Sequence, residues 1–247
     1  MKLPCLKTLI LSQNVFNSDC SGYVDTILQL NSLRILNLCS CNLIPSFFED
    51  RNLCHTLRNS VLEELNIAGN TFSTQSINCL ISSLPKKSLR KFDLSHIIQQ
   101  NNSCMLLISN FLTSGLPLLQ EISLEDCHLN NDDLFCLLKS APYCPQLKSL
   151  NISSNFDLSC TAILDFLTVM LSINNTLSNI SFTGTCLWDM KNVLTLIDIL
   201  NKAPNVCCIM LDNVPESCQE KLLQFWKNRF GDKASCLASS FCKLSIV

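Results

Sequence analysis

The sequence predicts an α/β fold, a leucine-rich repeat solenoid (a horseshoe) with parallel strands on its concave face and helices on its convex face. The first observation is a pattern, L-x-x-L-x-L-x-x-(N/C)-x-L, that recurs through the chain of 247 residues. The second is its period of 27 to 30 residues, and the third is a helical apolar stripe between successive copies. The eight copies begin at Leu6, Leu33, Leu62, Leu89, Leu119, Leu147, Leu177 and Val206.

Each copy predicts a short strand that is followed by a tight turn. In the second copy, Leu36 and Leu38 stand three and five positions after Leu33, and Cys41 occupies the turn position. Side chains alternate along a strand, so these leucines share the core side and the residue between them faces outward. At the turn position, Asn is expected to bond backbone groups, and a thiol fills the same small buried slot.

Helices are predicted between the strands, most clearly at 131–141, 160–172 and 188–202. Their apolar residues recur three and four positions apart, which gives each helix one stripe that faces the core. Asn131, which two aspartates follow, is the expected start of the first of these helices, because acidic residues favour the first turn. One full helix in a period near 28 residues is typical of ribonuclease-inhibitor-type repeats.

The ends of the array and its fourth copy depart from the pattern. The fourth copy has Ile97 at the turn position, and the polar tract 99–103 that follows is expected to loop out. We divide the chain into a solenoid of about eight repeats at 1–230 and a C-terminal cap or tail at 231–247. The first repeat begins without a polar cap, which predicts that the chain is a fragment of a longer array.

Composition favours an intracellular protein without a membrane span. The formal net charge is −2, which gives no reason to expect sequence-independent DNA binding. A minor nucleic-acid hypothesis rests on one row of basic residues, just before the strands: Lys7, Arg34, Arg90 and Lys148. No secretory signal precedes the first strand, and the longest apolar run is too short to cross a bilayer.

The 17 cysteines are interpreted as buried thiols in a reducing compartment rather than as disulfides or zinc ligands. Their number is odd, they are scattered through the repeats, and no C-x-x-C pair occurs. Nor does the sequence predict catalysis, a metal site or a cofactor. It has five glycines and no phosphate-binding loop, and a Cys/His pair built from Cys127 with His96 or His128 is weaker than a surface interpretation.

The outward-facing strand positions predict instead a face that binds a protein partner. This face is acidic at its centre and neutral but polar toward its C-terminal end, which suits a basic or hydroxyl-rich partner. Neighbouring strands stack about 4.8 Å apart, so the residues form ladders. The alternative is a face that is merely solvated. The ten predicted residues are Glu64, Asn66, Lys91, Asp93, Glu121, Ser123, Glu125, Asp126, Asn151 and Asn179.

Several irregular segments resemble the C-terminal leucine-rich repeats of the Tonsoku-like protein family. They are CSCNLIPSFF at 39–48, LPKKSLRKFDLSH at 84–96, CPQLKSLNISSNFDLSC at 144–160 and LSNISFTGTCLW at 177–188. The resemblance implies a non-catalytic nuclear scaffold at stalled or collapsed replication forks, which promotes homologous recombination with a large MMS-sensitivity partner. The ankyrin module with which that family reads histone H4 has no counterpart in this sequence, so histone contacts are not carried over.

Two other functions compete with this one. The first is a cytosolic ribonuclease-inhibitor-like module that binds an unrelated enzyme or receptor. The second, an enzyme, has no supporting motif. The resemblance places the protein in the nucleus, at chromatin and replication forks, and the alternative places it in the cytoplasm.

Overall fold

A computed structural model describes residues 5–16, 19–97, 109, 112–113 and 115–231, together with the backbone of 234–238 and 241–246. The polar tract that was expected to loop out, at 99–103, lies outside the described residues.

One sheet contains all of the described strands. Eight of them are parallel, follow chain order and stand in register, so that Leu65 pairs with Phe92, and Phe92 with Ile122. They are β1 Thr8–Ile10, β2 Ile35–Asn37, β3 Glu64–Asn66, β4 Lys91–Asp93, β5 Glu121–Ser123, β6 Ser149–Asn151, β7 Asn179–Ser181 and β8 Cys208–Asp212.

A hairpin extends the sheet beyond the last parallel strand. It consists of β9 Ala234–Ala238 and β10 Phe241–Ile246, and β10 pairs antiparallel with both β8 and β9. The side chains of this hairpin lie outside the described part of the chain. The domain boundary at residue 231 therefore stays a prediction.

The helices form the second layer, and three of them lie within two residues of the predicted bounds. They are α1 Ser21–Leu28, α2 Arg51–Asn59, α3 Thr74–Ser83, α4 Asn131–Ser140, α5 Cys160–Ile173, α6 Met190–Asn201 and α7 Glu216–Phe230, with short 3-10 helices at Phe47–Glu49 and Ala141–Tyr143. The predicted helix start at Asn131 is confirmed. Asn130 is the N-cap, because its side chain accepts from the amides of Asp132 and Asp133, and the Asp133 carboxylate accepts from the Asn130 amide.

A continuous apolar core lies between the strand and helix layers. The inward strand residues Leu65, Phe92 and Ile122 are at most 4% exposed, and Ile163 of α5 and Leu196 of α6 are fully buried. Each such side chain contributes roughly 1.5–3 kcal/mol by leaving water. The predicted solenoid, with equivalent aliphatic residues stacked inward, is confirmed.

Every described repeat places a residue with positive φ seven positions after its first apolar residue. The φ angles lie between 50° and 66°, the left-handed region that most side chains disfavour. The residues are Gln13, Ser40, Gly69, His96, Asp126, Ser154, Gly184 and Asn213. At Gly69 a Cβ would also lie 2.5 Å from Ser40 Oγ, so the Ser40 side chain would have to rotate to admit it. This row of left-handed residues reverses the chain at the end of each strand, and the repeat pattern did not predict it.

Turn asparagines fasten consecutive repeats together. Asn155 is fully buried, and its Oδ1 accepts from the amides of Cys127 and Leu129 in the preceding repeat, at 3.0 and 2.9 Å. Its Nδ2 donates to Leu124 O at 3.0 Å and to Ile152 O at 2.8 Å. Asn70 makes the equivalent bonds to the repeat of Cys41. The thiols of these two cysteines donate to a carbonyl one repeat further back, Leu94 O for Cys127 and Leu11 O for Cys41.

The interpretation of all cysteines as thiols is wrong for one pair. Cys160 and Cys186 form a disulfide across 5.8 Å between their Cα atoms. Cys160 begins α5 and Cys186 lies in the turn of the next repeat, and the stacking of the repeats brings these positions together. The other twelve described cysteines are thiols. Burial raises the pKa of the Cys144 thiol to about 12, which makes it unreactive at neutral pH.

Candidate protein-binding face

The outward side chains of β2 to β8 line an open depression of about 400 Å³, which we call the concave face. Eight of the ten predicted residues lie in it: Glu64, Asn66, Lys91, Asp93, Glu121, Ser123, Asn151 and Asn179. The other two, Glu125 and Asp126, belong to the turn that follows β5. The strand register therefore brings the predicted residues together on one surface.

The centre of the concave face contains one lysine between two glutamates. Lys91 Nζ lies 3.1 Å from Glu121 Oε1 and 3.9 Å from Glu64 Oε1. The hydrogen bond to Glu121 is the main cause that raises the pKa of Lys91. Because one ammonium group faces two carboxylates, this cluster keeps a net negative charge.

Amide side chains hold two further carboxylates in place. Asn66 Nδ2 donates to Asp93 Oδ2 at 2.9 Å, and Asn151 Nδ2 donates to Glu125 Oε2 at 3.0 Å. Asn151 also donates to Ser123 Oγ, at 3.0 Å. A neutral amide fixes the orientation of a carboxylate without removing its charge, so Asp93 and Glu125 add to the negative potential of the face.

Toward the C-terminal end the concave face is polar but carries less charge. Asn179 and Ser181 begin and end β7, and the hydroxyl group of Ser181 lies 2.6 Å from that of Ser153, in the turn after β6. Asp212 accepts from the Gly184 amide at 2.7 Å, and its second carboxylate oxygen is buried without a hydrogen-bond partner. The acidic centre and the polar end are thus distinct regions.

Asp126 lies at the rim of the concave face, beside His96, for which the sequence did not predict an acidic partner. His96 Nδ1 is 3.0 Å from Asp126 Oδ2, because both residues occupy the left-handed position of adjacent repeats. The repeat positions had suggested that His96 approaches His128 and Cys127. The Cys127 thiol instead donates to Leu94 O at 3.3 Å, as expected for a turn cysteine.

The basic row before the strands is partly neutralised. Glu63 lies between Arg34 and Arg90, with nitrogen–oxygen distances of 3.4 and 3.3 Å. Glu63 holds the same repeat position as these basic residues, and the prediction of a basic row did not take it into account. The lower net positive charge weakens the nucleic-acid hypothesis.

The described residues were also searched for metal-binding clusters and membrane-spanning helices. Among the described residues, no group of three or more His, Cys, Asp or Glu side chains is arranged to hold a metal ion. In the same part of the chain, every helix is too short or too polar to cross a membrane.

Comparisons with known proteins identify similar chains, although no family model matches. The chain is 26% identical to Tonsoku-like protein of Bos taurus over 189 residues and 25% identical to that of Mus musculus over 185 residues, each match covering 72% of this chain. It is 23% identical to that of Danio rerio over 254 residues, which cover 98% of this chain. The matches span only 14%, 14% and 17% of these relatives.

A solved structure shares the fold. A chain from the crystal structure of the Rad7 and Elc1 complex in yeast has a TM-score of 0.50 and 17% identity, over 67% of this chain and 40% of that chain. At this identity the likeness concerns the fold alone. The curated relatives carry the more specific finding: along its repeats, this chain is similar to a segment of Tonsoku-like protein, as the motifs predicted.

Proposed function

We propose that this chain is a non-catalytic protein-interaction module whose concave face binds a protein partner. The observation that carries the proposal is the acidic centre of that face. There, Asp93 and Glu125 are held by amide groups, and Lys91 offsets only part of the charge of Glu64 and Glu121. Carboxylates that are oriented before binding lose little entropy when a cationic side chain arrives, and they speed its approach.

Similarity to Tonsoku-like protein supports a finer proposal. The module belongs to a nuclear scaffold that supports homologous recombination at stalled or collapsed replication forks, and it contacts the large MMS-sensitivity partner of that scaffold. The chain corresponds to 14–17% of the relatives' length, so the work of a whole scaffold is part of the proposal. The yeast structure of similar fold is a complex of Rad7 and Elc1, which agrees with protein binding by a module of this fold.

Charge reversal on the concave face tests the proposal. Asp93→Lys, Glu121→Lys and Glu125→Lys are combined, and binding to the purified MMS-sensitivity partner is measured by calorimetry. We expect affinity to fall by about tenfold or more, because reversed charges repel the partner's cations. The matched control combines Asp165→Lys, Asp198→Lys and Glu220→Lys, three exposed acidic residues of the helix layer.

The two triple variants separate the parts of the proposal. Equal affinity for both, with binding retained, would remove the concave face from the contact. If the unaltered chain does not bind the MMS-sensitivity partner, the fork-repair proposal fails. Circular dichroism of each variant checks that the repeats remain folded.

A further inference from the structure

Two large apolar side chains are exposed in consecutive repeats, where strands give way to helices. We call this region the turn edge, and it comprises 124–131, 152–159 and 182–189, which connect β5, β6 and β7 to α4, α5 and α6. Phe156 is 75% exposed and Leu187 is 78% exposed. Leu158 and Trp188, their neighbours in the same turns, are each only 2% exposed. The turns thus already supply the core, and Phe156 and Leu187 are not needed for it.

The segments that carry these side chains are fastened to each other. Cys186 directly precedes Leu187 and is bonded to Cys160, four residues after Phe156. One repeat earlier, Asn131 Oδ1 accepts from the Ser159 amide at 3.0 Å. Side chains on a frame held in this way are already positioned for binding, so less conformational entropy is lost when a partner covers them.

The turn edge has one sign of charge. Its three segments contain Glu125, Asp126, Asp157 and Asp189 and neither lysine nor arginine. Asp189 caps α6 and Asp126 lies beside His96, whereas the Glu125 carboxylate accepts from the neutral Asn151 amide. Asp157 directly follows Phe156 and is exposed. The three segments that carry the apolar pair are therefore acidic, and the exposed Lys191, in the first turn of α6, is the next charged residue along the chain.

We propose that the turn edge is a second docking surface, for a protein segment that carries large apolar side chains flanked by lysine or arginine. The apolar side chains of that segment cover Phe156 and Leu187, and its cations face Asp157 and Glu125. Central apolar anchors within a charged rim supply most of the affinity in such contacts. The inference does not depend on which partner the concave face binds.

A peptide of defined chemistry tests this surface directly. The probe is a short fluorescein-labelled peptide that alternates lysine with leucine, and its binding to the whole chain is measured by fluorescence anisotropy. Two companion peptides replace every leucine by serine or every lysine by glutamate. We expect saturable binding of the parent peptide, and affinity weaker by about tenfold or more for each companion, because apolar contact and charge are both required.

Matched variants locate the site. We expect Phe156→Ser with Leu187→Ser to weaken binding of the parent peptide by about tenfold or more. Phe135→Ser with Leu194→Ser removes the same residue types, 52% and 47% exposed, from α4 and α6, and affinity should stay within about twofold. Asp157→Lys tests the charge separately, without altering the apolar pair.

Three results would overturn the inference: no saturable binding of the parent peptide, equal affinity for the two double variants, or binding of the leucine-free peptide as tight as that of the parent. Binding that is lost only on charge reversal at Glu64, Asp93 and Glu121 would assign the peptide to the concave face, and would equally refute a site at the turn edge.

Discussion

Replacing Asn155 by alanine removes three hydrogen bonds that hold consecutive repeats in register. Asn155 is fully buried and bonds backbone groups in its own repeat and in the preceding one. Asn155→Ala leaves the amides of Cys127 and Leu129 without that acceptor, and Leu124 O without that donor. The variant also leaves a small space in the turn.

The expected loss of stability follows from these groups. A buried amide that loses its partner costs about 1–3 kcal/mol, so the two amides alone predict a loss of about 2–6 kcal/mol. A water molecule that enters the vacated space would bring the loss toward the lower figure. Asn14→Ala is the matched control. Asn14 holds the same position in the first repeat, but it is exposed and bonds Leu11 O, so its loss should stay below about 1 kcal/mol.

Urea unfolding followed by circular dichroism measures the difference between these variants. Hydrogen exchange adds a local measurement, because Asn155→Ala should accelerate exchange at the amides of Cys127 and Leu129 more than elsewhere. A loss below about 1 kcal/mol for Asn155→Ala, with unchanged exchange at those amides, would refute the role of the buried asparagine.

Three further predictions concern the core, pH and the disulfide. Leu150 is 3% exposed, so Leu150→Asp should cost more than about 3 kcal/mol, and a native-like thermal melting curve would show that this side chain does not face the core. Hydrogen bonds from backbone amides at the start of α2, above all that of Leu53, lower the pKa of Asp50 from 3.8. The ionised carboxylate therefore stabilises the fold above pH 3.8, and this stabilisation is lost as the pH falls through the lower pKa of the folded state. Asp50→Asn should therefore flatten acid unfolding measured by fluorescence between these two pKa values, and an unchanged pH profile would contradict the assignment. Reduction of the Cys160–Cys186 bond, which spans 26 residues, should lower stability by about 3–4 kcal/mol, whereas urea midpoints of Cys160→Ser should not respond to reductant.

The repeats could be predicted from the sequence because burial imposes a fixed spacing on aliphatic residues. Leu36 and Leu38 must both reach the core from one strand, and the same demand recurs in every repeat. Helix bounds followed from the same periodicity. The start at Asn131 followed from the two acidic residues after it, whereas only the structure showed that Asn130 is the N-cap that accepts the amides.

Contacts between repeats were harder to predict than positions within one repeat. The left-handed row was missed because Gln13, Ser40 and Ser154 do not favour positive φ, although Gly69 and Gly184 in the same row do. The disulfide was missed because Cys160 and Cys186 hold different positions in their repeats, and only the path of the turn brings them together.

The location of the candidate site followed from strand alternation, whereas its partners did not. Strand alternation predicted that Glu121 and Asn151 face outward, and both side chains line the concave face in the structure. The contact between His96 and Asp126 could have been found by comparing equal positions in adjacent repeats. The amide bond that orients Glu125 could not, because it joins different positions of neighbouring repeats and depends on side-chain rotamers.

Site-specific photo-crosslinking tests most directly whether a partner sits on the concave face. A benzophenone amino acid is placed at Ser149, on β6 between the acidic centre and the polar end, or at Phe135 on the opposite layer, and each chain is irradiated with the MMS-sensitivity partner. The account predicts a crosslinked product from position 149 and none from position 135. A product from position 135 alone would contradict it.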